Sequence, residues 1–300
     1  TVLGAGSASP MNVSVALRLG RVSNLPTVWT NMLAGIILVG GAADDPRVWP
    51  MAGAMSLFYV GGMYLNDAFD ADIDAIERPE RPIPSGQVRR TLVFRLGFAM
   101  LALGIVLLAW AGFGWSGGTG MWPPLFGLSL AIAIIAYDRH HKTNAMSPLL
   151  MGLCRVFVYV TAGACFVFPL PAGLLVGAAL LLSYLIGLTY VAKQENLGQV
   201  KNLWPLIFLA APVLYGAALL PHFAGLWPFW AAFTGWILVA LWFLKRRQAG
   251  DIPRAVVGLI AGISLFDAML IAVHAPPKMA LIAVAGFALT LALQKFISGT

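Results

Sequence analysis

The sequence predicts an all-α protein, a polytopic transmembrane helical bundle of nine or ten helices. Three observations lead there. Of the 300 residues 60% are hydrophobic and only 10% charged, with a mean hydropathy of +0.84, where a soluble domain carries about 25% charged residues. The apolar residues come in runs of about the 17–25 residues that a bilayer crossing requires. The Lys and Arg residues gather in alternate connections between those runs, the bias that orients membrane helices. Length that would suggest two domains in a soluble chain is here taken up by repeated crossings, so 1–300 reads as a single integral membrane domain.

In order, the runs fall near 25–43, 50–67, 91–112, 121–137, 147–168, 172–192, 203–220, 225–245, 253–273 and 278–297. Polar or Pro/Gly clusters separate them. Ahead of the first, Thr1 to Asn12 is polar and rich in small residues. It lacks the basic start of a cleavable signal peptide, so the first membrane helix is expected to act as its own insertion signal. One set of connections holds Arg78, Arg81, Arg89 and Arg90, then Arg139 and Lys142, then Lys193 and Lys201, then Lys245, Arg246, Arg247 and Arg254. The other holds Arg47 and Lys278 and little else. The basic set, with Arg18 and Arg21, is expected on the cytoplasmic side. The second and sixth runs each pass into a polar segment there, at Asn66 and Lys193, which hints at a pseudo-repeat of four-helix units.

The net charge of +7 is accounted for by these loops. Nucleic acid is excluded as a partner, because strand-tracking and base-reading features are missing. Anionic membrane lipids are the expected contacts of Lys245-Arg246-Arg247. Cys154 and Cys165 share one run, eleven residues apart. On a helix that is roughly 16 Å of rise, too far for a disulfide.

The acids are distributed unlike the rest. Six of the twelve Asp and Glu residues lie between 67 and 80: Asp67, Asp70, Asp72, Asp74, Glu77 and Glu80. Carboxylates at the mouth of an apolar helix repel one another and are costly to desolvate. On a continuing helix, with Asn66 at zero, Glu77 falls at about 20°, Asp70 at about 40°, Asp74 at about 80° and Asp67 at about 100°. Asp72 falls at about 240°, on the other side, and Pro79 should end the helix nearby. A solvated loop would not place its acids on one face. Oxygen-only ligands suit a hard cation, and Mg²⁺ commonly binds through one or two carboxylates plus substrate phosphates. The neighbouring Arg78, Arg81, Arg89 and Arg90 are suited to phosphate oxygens. Metal and arginines together make a diphosphate site.

The segment Asn66-Asp67-Ala68-Phe69-Asp70-Ala71-Asp72-Ile73-Asp74 resembles the NDxxDxxxD motif of the UbiA superfamily of intramembrane prenyltransferases. Glu77-Arg78-Pro79-Glu80-Arg81-Pro82-Ile83-Pro84-Ser85-Gly86 resembles that motif's extension. Arg21 to Asn31 followed by Gly35 is similar to the family's first helix, Tyr137 to Lys142 to the stretch before its fifth, and Gly152 with Arg155 to a pair within it. The resemblance implies helices around a central, laterally open cavity. It implies Mg²⁺ held between carboxylates and an isoprenoid diphosphate, and transfer of the prenyl group to an acceptor with release of pyrophosphate. Asn66, Asp67, Asp70 and Asp74 are then the first metal-binding set, with Asp67, Asp70, Arg155 and Lys142 as catalytic groups. Arg78, Arg81, Lys193, Glu195 and Asn202 are the expected diphosphate-side residues. The family's second acidic motif, DxxxD, is reduced to Tyr190-Val191-Ala192-Lys193-Gln194-Glu195-Asn196 and beyond. Glu195 is its sole acid, so any second metal has one carboxylate there, beside Gln194, Asn196 or Asn202.

Arg155 stands inside an apolar run, where an arginine is costly. A phosphate contact in a cavity is the functional reading and a pairing with a neighbouring carboxylate the structural one. Asp267, central in the ninth run, divides evenly between the two. The Arg139-His140-His141-Lys142 run serves to orient a loop, with Lys142 as the diphosphate candidate, and adjacent histidines point apart and are poor co-ligands. Tyr64, Tyr137, Tyr159, Tyr184 and Tyr190 are read first as packing and belt residues and second as cation-stabilising faces. Two other functions are compatible with the same residues. A transporter would place acids at mid-membrane depth or on both sides. A diphosphate-lipid binder would keep the first motif without turnover. The acceptor, small or lipophilic, is not written in the sequence.

Overall fold

The computed structural model describes residues 11–141, 144, 146–195 and 204–297, with the backbone alone of 193–195. Eleven α-helices run through them: α1 Val13–Leu19, α2 Leu25–Ile37, α3 Val48–Glu77, α4 Arg90–Phe113, α5 Trp122–His140, α6 Ser147–Ala164, α7 Ala172–Glu195, α8 Ala210–Leu219, α9 Trp227–Arg246, α10 Asp251–His274 and α11 Pro277–Leu293. No strand occurs among the described residues. Each of the ten apolar runs holds one helix, α2 to α11. The helix beyond the expected nine or ten is α1, seven residues capped by the Asn12 side chain, which accepts from the Val15 N–H at 2.8 Å. It buries Val15 and Leu19 against Tyr64, Ala68, Val88 and Val93. Five helices are long and apolar enough to cross a membrane on their own: α4, α6, α7, α9 with the turn before it, and α10. The others are shorter or less apolar, and α8 is only ten residues because a 3-10 stretch, Trp204–Leu209, takes up the first half of its run.

The side chains bury into two large clusters. One draws on α2 to α6 and the other on α2, α6, α7 and α9 to α11. The α2–α6 pair belongs to both and is the seam of the molecule. It closes tightly because Gly35 has no side chain. A Cβ there would stand 2.6 Å from the Tyr159 carbonyl oxygen and 3.0 Å from Ala162 Cβ, the small-residue approach by which membrane helices pack. Where α2 leads to α3, the Arg47 guanidinium donates to Asp45 and to the carbonyls of Gly117 and Cys165 at 2.8–3.1 Å. That hydrogen bonding holds the Asp45 carboxyl below the usual carboxylate range.

Candidate active site

α3 is one unbroken helix of 30 residues, and it carries the acidic stretch to its last turn. It ends at Glu77, before Pro79, as expected, with Arg78 as C-cap at φ −145° and ψ 63°. Asn66, Asp67, Asp70 and Asp74 share its inward face and are 1–6% exposed. Asp72 lies outward, paired with Arg90 at 3.0 Å. Glu77, which falls in the same stripe, is exposed instead.

Buried carboxylates need compensation, and arginines supply it. Arg81, on the connection that folds back over α3, donates to Asp74 at 2.8 Å and to Asp67 at 3.4 Å through one nitrogen. Arg21, at the junction of α1 and α2, donates to Asp67 at 2.8 Å and to the Asn66 amide oxygen at 3.5 Å. Its backbone is left-handed, φ 41°, a conformation non-glycine residues seldom adopt. Burial works against the Arg21 charge and Asp67 works for it, and the balance leaves its pKa above the ordinary arginine value. Asp70 faces His141, Nε2 to Oδ2 3.3 Å, and the His141 ring stacks on Tyr137 at 4.9 Å between centroids.

Two residues of this cluster escaped the sequence reading, and Arg21 entered it without a partner. Asp138 of α5 is 3% exposed and accepts from Asn66 Nδ2 at 3.2 Å. His141 is one of an adjacent pair whose rings are expected to point apart. Asp138 has a faint signal, an acid closing the apolar run 121–137, but nothing in local spacing tells that it meets Asn66, 72 positions away. Arg78, the C-cap, makes no ion pair with the stripe among the described residues. Lys142 and Asn202 lie outside the described residues. Lys193 and Glu195 sit on the last turn of α7, and their side chains also lie outside them.

A cavity opens between α2, α3, α5 and α6, joined to the acidic face through Asp138 and walled by Val28, Met55, Phe58, Leu130, Ile134, Met151 and Val158. Its polar wall is Tyr59, Tyr137, Asp138 and Arg155. Tyr59, not singled out beforehand, lies under the Arg155 guanidinium, 5.7 Å from ring centroid to Cζ. Tyr159 and Tyr184 are buried packing groups hydrogen-bonded to Asp267 and to the Leu259 carbonyl. Arg155 donates to Asn31 Oδ1 and Thr27 Oγ1, each at 3.0 Å. The Asn31 amide in turn donates to both oxygens of Asp267, at 3.0 and 2.9 Å, and Asp267 also accepts from Thr30 at 2.6 Å and from Tyr159. The two intramembrane charges thus form one chain through Asn31. Among the described residues, no three His, Cys, Asp or Glu side chains are grouped to hold a metal alone.

Fold and site together define an integral membrane protein with buried carboxylates and guanidiniums beside an intramembrane cavity. The profile of the UbiA prenyltransferase family matches residues 27–192, and the chain belongs to that family. Members generally use a divalent metal. Digeranylgeranylglyceryl phosphate synthase of Sulfolobus acidocaldarius is 27% identical over 154 residues, covering 51% of this chain and 50% of that protein. The enzyme of the same name from Methanopyrus kandleri is 29% identical over 210 residues, 67% and 69% of the two chains. The match therefore spans only half of the Sulfolobus relative's length. Two solved structures share the fold. One, from work on digeranylgeranylglyceryl phosphate synthase in membranes, has a TM-score of 0.60 at 17% identity, covering 91% of this chain and 99% of its own. The other, an apo UbiA homologue from Aeropyrum pernix, has a TM-score of 0.62 at 16% identity, covering 90% and 98%.

Proposed function

We propose that the protein is a Mg²⁺-dependent prenyltransferase, moving a prenyl group from an isoprenoid diphosphate to a small or lipophilic acceptor and releasing pyrophosphate. One observation carries the reading: a buried face of Asn66, Asp67, Asp70 and Asp74, fronted by Arg21 and Arg81 and joined through Asp138 to an apolar cavity. The residues fit a hard divalent cation. The ligands are all oxygen, and the buried Asp74 Oδ1 has no hydrogen-bond partner, an arrangement that calls for a positive group. When bound, the cation neutralises charge that develops on the leaving diphosphate. Asn66, Asp67, Asp70 and Asp74 would hold it, with Glu195 as the acid of the reduced second motif.

The remaining work falls to the chain's own groups. Arg21 and Arg81 would exchange carboxylate oxygens for diphosphate oxygens, and Arg78, Lys142, Lys193 and Asn202 are the further diphosphate-side groups that the family resemblance implies. Arg155 presents its charge from the cavity wall, held by Asn31 and Thr27. The allylic carbon–oxygen bond breaks, the acceptor's nucleophile bonds to the carbon, and the acceptor loses a proton. The apolar walls hold the prenyl chain and keep water from the cation, while Tyr59 and Tyr137 offer ring faces to it. The Lys and Arg residues of its connections favour a mouth on the cytoplasmic side of the inner membrane. The names of the relatives make a prenylated glyceryl phosphate the first acceptor to test.

The test is pyrophosphate release from a panel of prenyl diphosphates by the purified protein, with and without Mg²⁺. Asp67→Ala and Asp70→Ala are each expected to lower the Mg²⁺-dependent rate at least 100-fold, about 3 kcal/mol. Donor binding without release would identify a non-catalytic binder instead, a reading favoured only by the single acid of the second motif. Ion flux in liposomes without donor binding would identify a transporter.

A further inference from the structure

The sequence motif does not include Asp138, and the reaction proposed above gives it no task. Its Oδ1 accepts from Asn66 Nδ2 at 3.2 Å, whereas its Oδ2 is buried and has no hydrogen-bond partner. The carboxylate forms part of the cavity wall beside Tyr137 and Arg155. A buried carboxylate oxygen without a donor is poorly tolerated, most of all where bulk water is excluded. Asp67 and Asp74 have Arg21 and Arg81, and Asp70 has His141. Asp138 has only the uncharged amide of Asn66, and no ion pair among the described residues.

We propose that Asp138 is a further ligand of the divalent cation, supplying a carboxylate oxygen from α5 to the Asn66–Asp67–Asp70 face of α3. The proposal rests on reading that face as a metal–diphosphate site. Two features favour it. A hard cation takes oxygens from several directions, and the α3 face supplies them from one side only. The hydrogen bond to Asp138 also fixes the Asn66 amide: its nitrogen turns to α5, and its oxygen, the ligating atom, turns to the side of Arg21 and Asp67. Orientation of a ligand by a neighbouring carboxylate is a common device in metal sites. Here the orienting carboxylate keeps a second oxygen uncommitted.

The experiment uses the full chain in lipid nanodiscs, with Mn²⁺ as a paramagnetic probe and inorganic pyrophosphate in place of the donor, and reads bound Mn²⁺ by electron paramagnetic resonance. Asp138→Asn keeps the acceptor for Asn66 and removes the charge. It is expected to weaken Mn²⁺ binding about tenfold or more, with a metal-free melting temperature at or above that of the unchanged protein. Asp138→Glu, which restores a carboxylate, is expected to recover part of the affinity. Unchanged Mn²⁺ affinity in Asp138→Asn overturns the proposal. So does equal weakness of the Asn and Glu variants, which also decides the case if Asp138→Asn folds poorly. Asp67→Asn separates the two levels: if it retains the full affinity, the reading of the α3 face has failed, and not merely Asp138's place in it.

Discussion

Arg81 binds Asp67 and Asp74 through a single nitrogen and so competes with any cation for their oxygens. Its removal should act in opposite directions on two ligands. Arg81→Ala is expected to tighten Mn²⁺ binding measured alone by about 3- to 10-fold, on the scale of one charge-assisted hydrogen bond, about 1 kcal/mol. With metal present, pyrophosphate binding should weaken by about tenfold or more. Isothermal titration of each ligand checks both signs, and a loss of affinity for both would show that Arg81 merely supports the fold. The residues of this face were legible because half of all the acids fall within fourteen positions and a 3.6-residue period sorts them by side. Asp138, His141 and the Arg21 contact were not, because helix-to-helix proximity leaves no trace in local spacing. Asp267 stood out as an intramembrane acid, yet its partners Asn31, Thr30 and Tyr159 lie 108–237 positions away.

Among the elements, α2 and α6 set how closely Asn31 and Arg155 meet. Gly35 stands one turn beyond Asn31, and Tyr159 one turn beyond Arg155, so the Gly35 contact governs the hydrogen bond between them. Its opposing atom is backbone and cannot rotate away. Gly35→Ala is expected to cost about 1–3 kcal/mol as an overpacked contact, seen as a lower melting temperature in detergent, and to reduce turnover through Arg155. Gly235, inside α9, has open space where a methyl group would stand, with no neighbouring atom within 4 Å of it. Gly235→Ala is expected to be neutral or to stabilise by up to about 1 kcal/mol. Equal effects at the two glycines would refute the packing argument. The helix positions themselves followed from apolar run length. The shortness of α8 did not, since an apolar run reads alike whether its turns are α or 3-10.

Across the whole molecule, the Arg155–Asn31–Asp267 chain fastens the two core clusters together by linking α6, α2 and α10. Asp267→Ala removes the acceptor for Asn31, Thr30 and Tyr159 at once. It is expected to lower stability by about 2–5 kcal/mol and to cost activity although Asp267 stands apart from the cavity. Thermal unfolding of detergent-purified protein measures the first, and pyrophosphate release the second. A variant as stable as the parent would show the chain to be incidental. At this scale the sequence announced a membrane bundle through its poverty of charge, and its orientation through Lys and Arg counts, but which helices form the seam depends on glycine contacts that only the assembled bundle displays.

The same ion pairs also imply an order of events during synthesis. Arg81 follows Asp74 by seven residues and Asp67 by fourteen, so the acids at the end of α3 and their neutralising cation leave the ribosome almost together. Arg155 must wait: Asn31 precedes it by 124 residues, but the anion that completes its circuit is not made until α10. A nascent chain halted after α9 would therefore carry a settled rim and a seam still electrically open.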